Sequence, residues 1–165
     1  MNFEKLTKTQ KLTISGMVMA LYIVILYATQ SFSFGAYQIR IATMLYGLGY
    51  YCPFLILPLG IANFISNLLF GGLGIADMLG GCIVGMVTTF FVSRVRILRL
   101  PIWTAALPII AVPGLGVSSY LSVLLGIPYP ALALSLCIGQ SVPAVCSVIM
   151  IQMYEKYMKK ARILA

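Results

Sequence analysis

The 165-residue chain is 61% hydrophobic and 8% charged, with a mean hydropathy of +1.03, which excludes a soluble domain with a polar surface. A bilayer crossing takes roughly 20 apolar residues, so there is room for about six spans with short loops and none for a soluble catalytic domain. The net charge of +8 does not indicate nucleic acid, because ten of the 11 basic residues fall in three clusters at the ends of apolar runs.

Those clusters are Lys5, Lys8 and Lys11 at the start, Arg94, Arg96 and Arg99 in the middle, and Lys156, Lys159, Lys160 and Arg162 at the close. Basic residues beside spans stay on the cytoplasmic side, so all three clusters and both termini are expected inside, with an even number of spans between clusters. The fold expected is all-α: a single transmembrane domain over residues 1–165, six helices, multi-pass in the bacterial cytoplasmic membrane.

In chain order, residues 12–29 form the first expected span. Lys5 to Ala28 has the basic start and apolar run of a signal peptide, yet no small-x-small cleavage site follows, so it reads as retained. Thr29 to Gln38 (TQSFSFGAYQ) is polar and aromatic and reads as an outer loop. No charge occurs between Arg40 and Asp77, enough for two spans, 40–51 and 53–70, hinged at Tyr51, Cys52 and Pro53. Pro58 and Gly60 suggest a bend in the second, which ends at Gly71 to Gly74. Span 76–93 then reaches the arginine cluster. Spans 101–124 and 130–154 complete the six, hinged at Gly126 to Pro130, and Pro108, Pro113, Gly114 and Gly116 suggest a broken or kinked fifth helix lining a cavity.

Absences narrow the chemistry. There is no phosphate-binding G-x-x-x-x-G-K-[ST] loop, no His and no paired carboxylates, and the cysteines Cys52, Cys82, Cys137 and Cys146 lack metal-ligand spacing. No metal or cofactor is implied, and an enzyme is a poor first reading. Arg40 and Asp77 are left unexplained by topology, and charged side chains in spans cost energy and mark function. Asp77 opens a helix, where a carboxylate suits the dipole; Arg40 opposes the dipole and needs a partner, an Arg40–Asp77 ion pair being the simplest. Asn63 and Asn67 share a helix face with Ser66 beside them, serving either as helix-to-helix glue or as ligand contacts. Gln140 and Ser141 form a third polar group facing a possible cavity. Tyr46 and Tyr50 offer flat walls or packing anchors. Gly16 and Ala20 make a small-xxx-small pair that lets another helix approach the first span closely.

Phe34-Gly35-Ala36-Tyr37-Gln38-Ile39-Arg40, then Asn67-Leu68, then Gly74-Ile75-Ala76-Asp77-Met78-Leu79-Gly80 resemble the QueT family. The resemblance implies the S component, or substrate-binding subunit, of an energy-coupling factor importer for queuosine precursors, which are 7-deazaguanine compounds. It also implies partners: a transmembrane T component and two cytoplasmic ATPases, besides the lipid bilayer. On this reading Asp77 accepts the N–H and exocyclic amine of the base, Asn67 and Gln140 meet its other edge, and Phe34 or Tyr46 covers the ring. Arg40 orders the loop, and Gly16 and Ala20 dock the partner. Where the resemblance leads one to expect a glutamate three residues after the arginine, the chain has Thr43, which leaves the identity of the ligand open. The alternatives are an S component for another small vitamin or nucleobase, an integral-membrane enzyme or assembly factor, and a stand-alone carrier, for which Asp77 alone is a thin coupling site.

Overall fold

A computed structural model describes residues 6–33, 38–71 and 73–163, with the backbone alone for 159–163. Every regular element among the described residues is helical. Helix α1 (Lys8–Ala28) starts at a reciprocal cap: the Thr7 hydroxyl accepts from the Gln10 N–H at 3.3 Å, and the Gln10 side chain accepts from the Thr7 N–H at 2.9 Å. A single turn, α2 (Gln30–Ser33), and a ten-residue 3-10 helix (Ile41–Tyr50) follow. Helix α3 (Ile56–Ser66) is entered by a 3-10 turn at Pro53–Leu55 and left by a π turn at Asn67–Gly71. The bundle is completed by α4 (Ile75–Ile97), α5 (Ala106–Leu125), which is led by a 3-10 turn at Ile102–Ala105, and α6 (Tyr129–Ile163).

Five segments among the described residues are long and apolar enough to cross a bilayer: Lys8–Ala28, Pro53–Gly71, Ile75–Ile97, Ile102–Leu125 and Tyr129–Met158. Their outer faces expose Met17, Val24, Leu57, Ile83, Leu107 and Val123, as surfaces solvated by hydrocarbon do. Over the expected span 40–51 the backbone is the 3-10 helix, which at about 2 Å rise per residue covers roughly 20 Å of a hydrocarbon core of about 30 Å. Its glycines hold it tightly among its neighbours. A Cβ on Gly49 would lie 2.6 Å from Thr89 Cγ2 and 2.9 Å from the Thr89 carbonyl oxygen on α4, and one on Gly47 would press on Ser147 and Met150 of α6.

The break expected in the fifth helix is not there. Helix α5 runs on through Pro113. Pro108 falls in its first turn, where the N–H groups have no intrahelical partner in any case. Gly114 serves close packing: a Cβ there would sit 3.3 Å from the backbone of Cys137 on α6. Between α3 and α4 the small residues are Gly60, Gly81 and Gly85, the last two one turn apart, and a Cβ on Gly85 would lie 3.4 Å from Gly60 Cα.

Packing brings the neighbourhoods of the three basic clusters to one end of the bundle. The Lys11 ammonium lies 5.8 Å from the centre of the Phe54 ring and the Arg96 guanidinium 5.1 Å from that of Tyr51, and Tyr51 meets Tyr154 at 4.8 Å between ring centres. The contrast between glycines is testable. Gly49→Ala should destabilise the protein by about 1–3 kcal/mol, because the Thr89 backbone cannot step aside. Gly16→Ala meets nothing within 4 Å and should leave stability unchanged or raise it by up to about 1 kcal/mol. Thermal unfolding in detergent separates the two.

Candidate functional site

Polar side chains gather around the start of the 3-10 helix, away from the basic end. Arg40 caps that helix and is buried, with 6% of its surface exposed. Its guanidinium donates to Asn63 Oδ1 at 3.2 Å and, in a close contact, to Asn67 Oδ1. The four-residue spacing of Asn63 on α3 and Asn67 at the start of the π turn that follows it puts both amides on the side that meets the guanidinium. Each amide then uses its N–H groups elsewhere: Asn63 donates to Tyr46 Oη at 2.9 Å and to the Gly81 carbonyl at 2.8 Å, and Asn67 donates to the Asp77 carbonyl at 2.9 Å. Tyr46 is fully buried, stacked on Tyr22 of α1 at 5.8 Å between ring centres, and the two hydroxyls lie 3.1 Å apart.

Asp77 occupies the first turn of α4, where the helix dipole favours a carboxylate, and it is 5% exposed. Its Oδ1 accepts from Tyr120 of α5 at 3.1 Å. Gly80 provides the room, since a Cβ there would lie 2.5 Å from the tyrosine ring. On the other side of the cluster the single Thr43 hydroxyl hydrogen faces two acceptors, the Arg40 carbonyl at 2.7 Å and Gln140 Oε1 at 2.9 Å. Gln140 in turn donates to the Gln38 carbonyl at 3.2 Å. Gln38 holds φ +43, a left-handed conformation that costs a non-glycine residue free energy and tends to accompany functional sites.

Of the residues expected from the sequence, Arg40, Tyr46 and Gln140 face one cleft, while Asn67 and Asp77 lie outside its lining and join it through hydrogen bonds, Asn67 to Arg40 and to the Asp77 carbonyl. Phe34 lies outside the described residues. Tyr50 does not share a face with Tyr46, because a 3-10 helix repeats every three residues rather than four; it lies at the basic end, against Tyr51 at 4.9 Å. Ser141 turns back to its own helix, donating to the Ile138 carbonyl at 2.6 Å. Gly16 and Ala20 are exposed on α1, on the side away from the buried Tyr22. Tyr120 escapes a reading by charge and amide spacing. Its signal is a lone tyrosine in an otherwise apolar and small-residue helix, where a phenol needs a partner.

That cleft is lined by the polar residues Gln38, Arg40, Thr43, Tyr46, Asn63 and Gln140 together with the apolar Val84, Pro113, Val117 and Leu136. The cleft is thus half polar and half greasy, the composition that suits a flat heterocycle with a hydrogen-bonding edge. The space left in it holds about one water molecule, so a larger guest requires side chains to shift.

A family model described as the QueT transporter matches residues 12–156. Comparison with curated proteins and with solved structures gives no match. The family match covers most of the chain, including every helix of the site, and the five apolar helices make it a multi-pass membrane protein. The chain belongs to the QueT transporter family.

Proposed function

We propose that the chain is the S component of an energy-coupling factor importer, capturing a queuosine precursor of the 7-deazaguanine class for a T component and two ATPases. The observation that carries the reading is the buried cluster of Arg40, Asn63, Asn67, Asp77 and Gln140 beside an apolar wall, in a member of a transporter family that has no nucleotide-binding loop of its own. The basic end faces the cytoplasm of a bacterial cell and the cluster lies toward the outside. A cysteine at Ile97 should resist labelling by an impermeant reagent applied to intact cells; labelling there would invert the topology.

Capture works by exchange of partners. The Asp77 carboxylate turns from the Tyr120 hydroxyl to the ring N–H and exocyclic amine of the base, and Gln140 turns from Thr43 and the Gln38 carbonyl to its opposite edge. Arg40 stays with the asparagines and keeps the polar wall in place. Equilibrium binding of purified protein to nucleobases and vitamins is the direct test. A 7-deazaguanine should bind best, and tight binding of an unrelated vitamin instead would move the substrate while leaving the transporter class intact. Loss of one charge-assisted hydrogen bond costs about 1.5–3 kcal/mol, so Asp77→Asn should weaken binding roughly ten- to a hundredfold in the same titration. Unchanged affinity would return Asp77 to the role of a helix cap.

Docking uses the exposed small-residue stripe of α1. A side chain added at Gly16 points into open space, so the double substitution Gly16→Leu with Ala20→Leu should fold and bind substrate like the parent. It should fail to co-purify with the ATPases and fail to support uptake. Full uptake by this variant would remove α1 from the interface.

A further inference from the structure

We propose that the basic end of the bundle holds one anionic phospholipid, with an acyl chain in an apolar cavity between the 3-10 helix and α6 and the headgroup on Arg96. The cavity is bounded by Gly47, Leu48, Tyr51, Met150, Ile151 and Tyr154, and its wall is wholly apolar. It is several times roomier than the space in the polar cleft. Gly47 lets the 3-10 helix approach α6 closely along one side of the cavity, since a Cβ there would press on Ser147 and Met150. Tyr51 forms its upper edge and is fixed there, its hydroxyl donating to the Ile151 carbonyl at 3.3 Å and its ring meeting Tyr154 at 4.8 Å. Above Tyr51, 5.1 Å from the ring centre, sits the guanidinium of Arg96, a solvent-exposed residue.

A greasy slot with a cation over one of its lining rings selects a molecule that is apolar at one end and anionic at the other. A free anion gains nothing from the slot, and a zwitterionic lipid gains little net attraction from the guanidinium. The wider field agrees: among the described residues this end carries Lys8, Lys11, Arg94, Arg96, Arg99 and Lys156 against a single acid, Glu155. Glu155 opposes the headgroup, which gives the proposal a sign it can be checked by.

The test compares the full chain in nanodiscs of phosphatidylcholine alone and with phosphatidylglycerol, reading thermal unfolding and the lipid retained in native mass spectrometry. Phosphatidylglycerol should raise the unfolding temperature and stay bound as one copy. Arg96→Gln should lower its retention about fivefold, the worth of one basic residue near an anionic headgroup, and Glu155→Gln should raise it. Arg94→Gln should matter little, since that guanidinium lies 4.6 Å from the Phe90 ring, away from the cavity. Soluble glycerol phosphate should not compete. Equal behaviour in the two lipids, equal losses from Arg94→Gln and Arg96→Gln, or displacement by glycerol phosphate would each overturn the site. So would Met150→Phe, which narrows the slot, if it left retention of phosphatidylglycerol at the parent level.

Discussion

A guanidinium buried in a bundle that faces hydrocarbon has to find acceptors within the protein, and Arg40 finds them in the side-chain amides of Asn63 and Asn67. The choice of amides over carboxylates has structural consequences. An amide oxygen that accepts from arginine leaves its own N–H groups to be satisfied, and these reach the Gly81 and Asp77 carbonyls on α4 and the Tyr46 hydroxyl on the 3-10 helix. One cation thereby ties together three chain segments that apolar packing alone would position only loosely, and Tyr46 extends the tie to α1 through Tyr22. Both side-chain N–H groups of Asn63 are used in this way, as a buried network of this kind favours.

Close approach of backbones makes the network possible. Gly81 lets the asparagine amides reach the α4 backbone, Gly85 admits the Tyr46 hydroxyl, and Gly80 leaves room for the Tyr120 ring beside Asp77. These glycines lie within one helix, where they weaken helix propensity. The cost is accepted because larger residues there would push α3 and α5 outward and separate the charges from their partners.

Much of this was legible in the sequence because charge and spacing are local signals. Arg40 and Asp77 stood out against an uncharged background, the i, i+4 asparagines announced a shared face, and the basic clusters marked one end of the bundle. The helical boundaries at Pro53, at Gly74 and at Gly126, whose φ of +67 suits a glycine, followed from turn chemistry. What was hidden depends on three-dimensional fit. A run such as Ile41–Tyr50 has the composition of a spanning α-helix, and only its packing against Thr89 and Ser147 selects the tighter coil. The same tightening separates Tyr46 from Tyr50. Pro113 looked like a break, yet close contact with α6 carries the helix through it, and the Tyr120–Asp77 bond joins residues 43 positions apart that no periodicity links.

The tight coil also stores length. Ten residues wound as a 3-10 helix are about 5 Å longer than the same ten wound as an α-helix, since the rise per residue falls from about 2.0 to 1.5 Å. One end of this segment is Arg40 and the other leads into Tyr51. A rewinding of the segment, even by half, would therefore draw the polar cluster and the aromatic end toward each other by a few ångströms without breaking any long helix. The 3-10 winding thus sets the separation between the polar cluster and the aromatic end, and the tight contacts at Gly47 and Gly49 hold that winding in place.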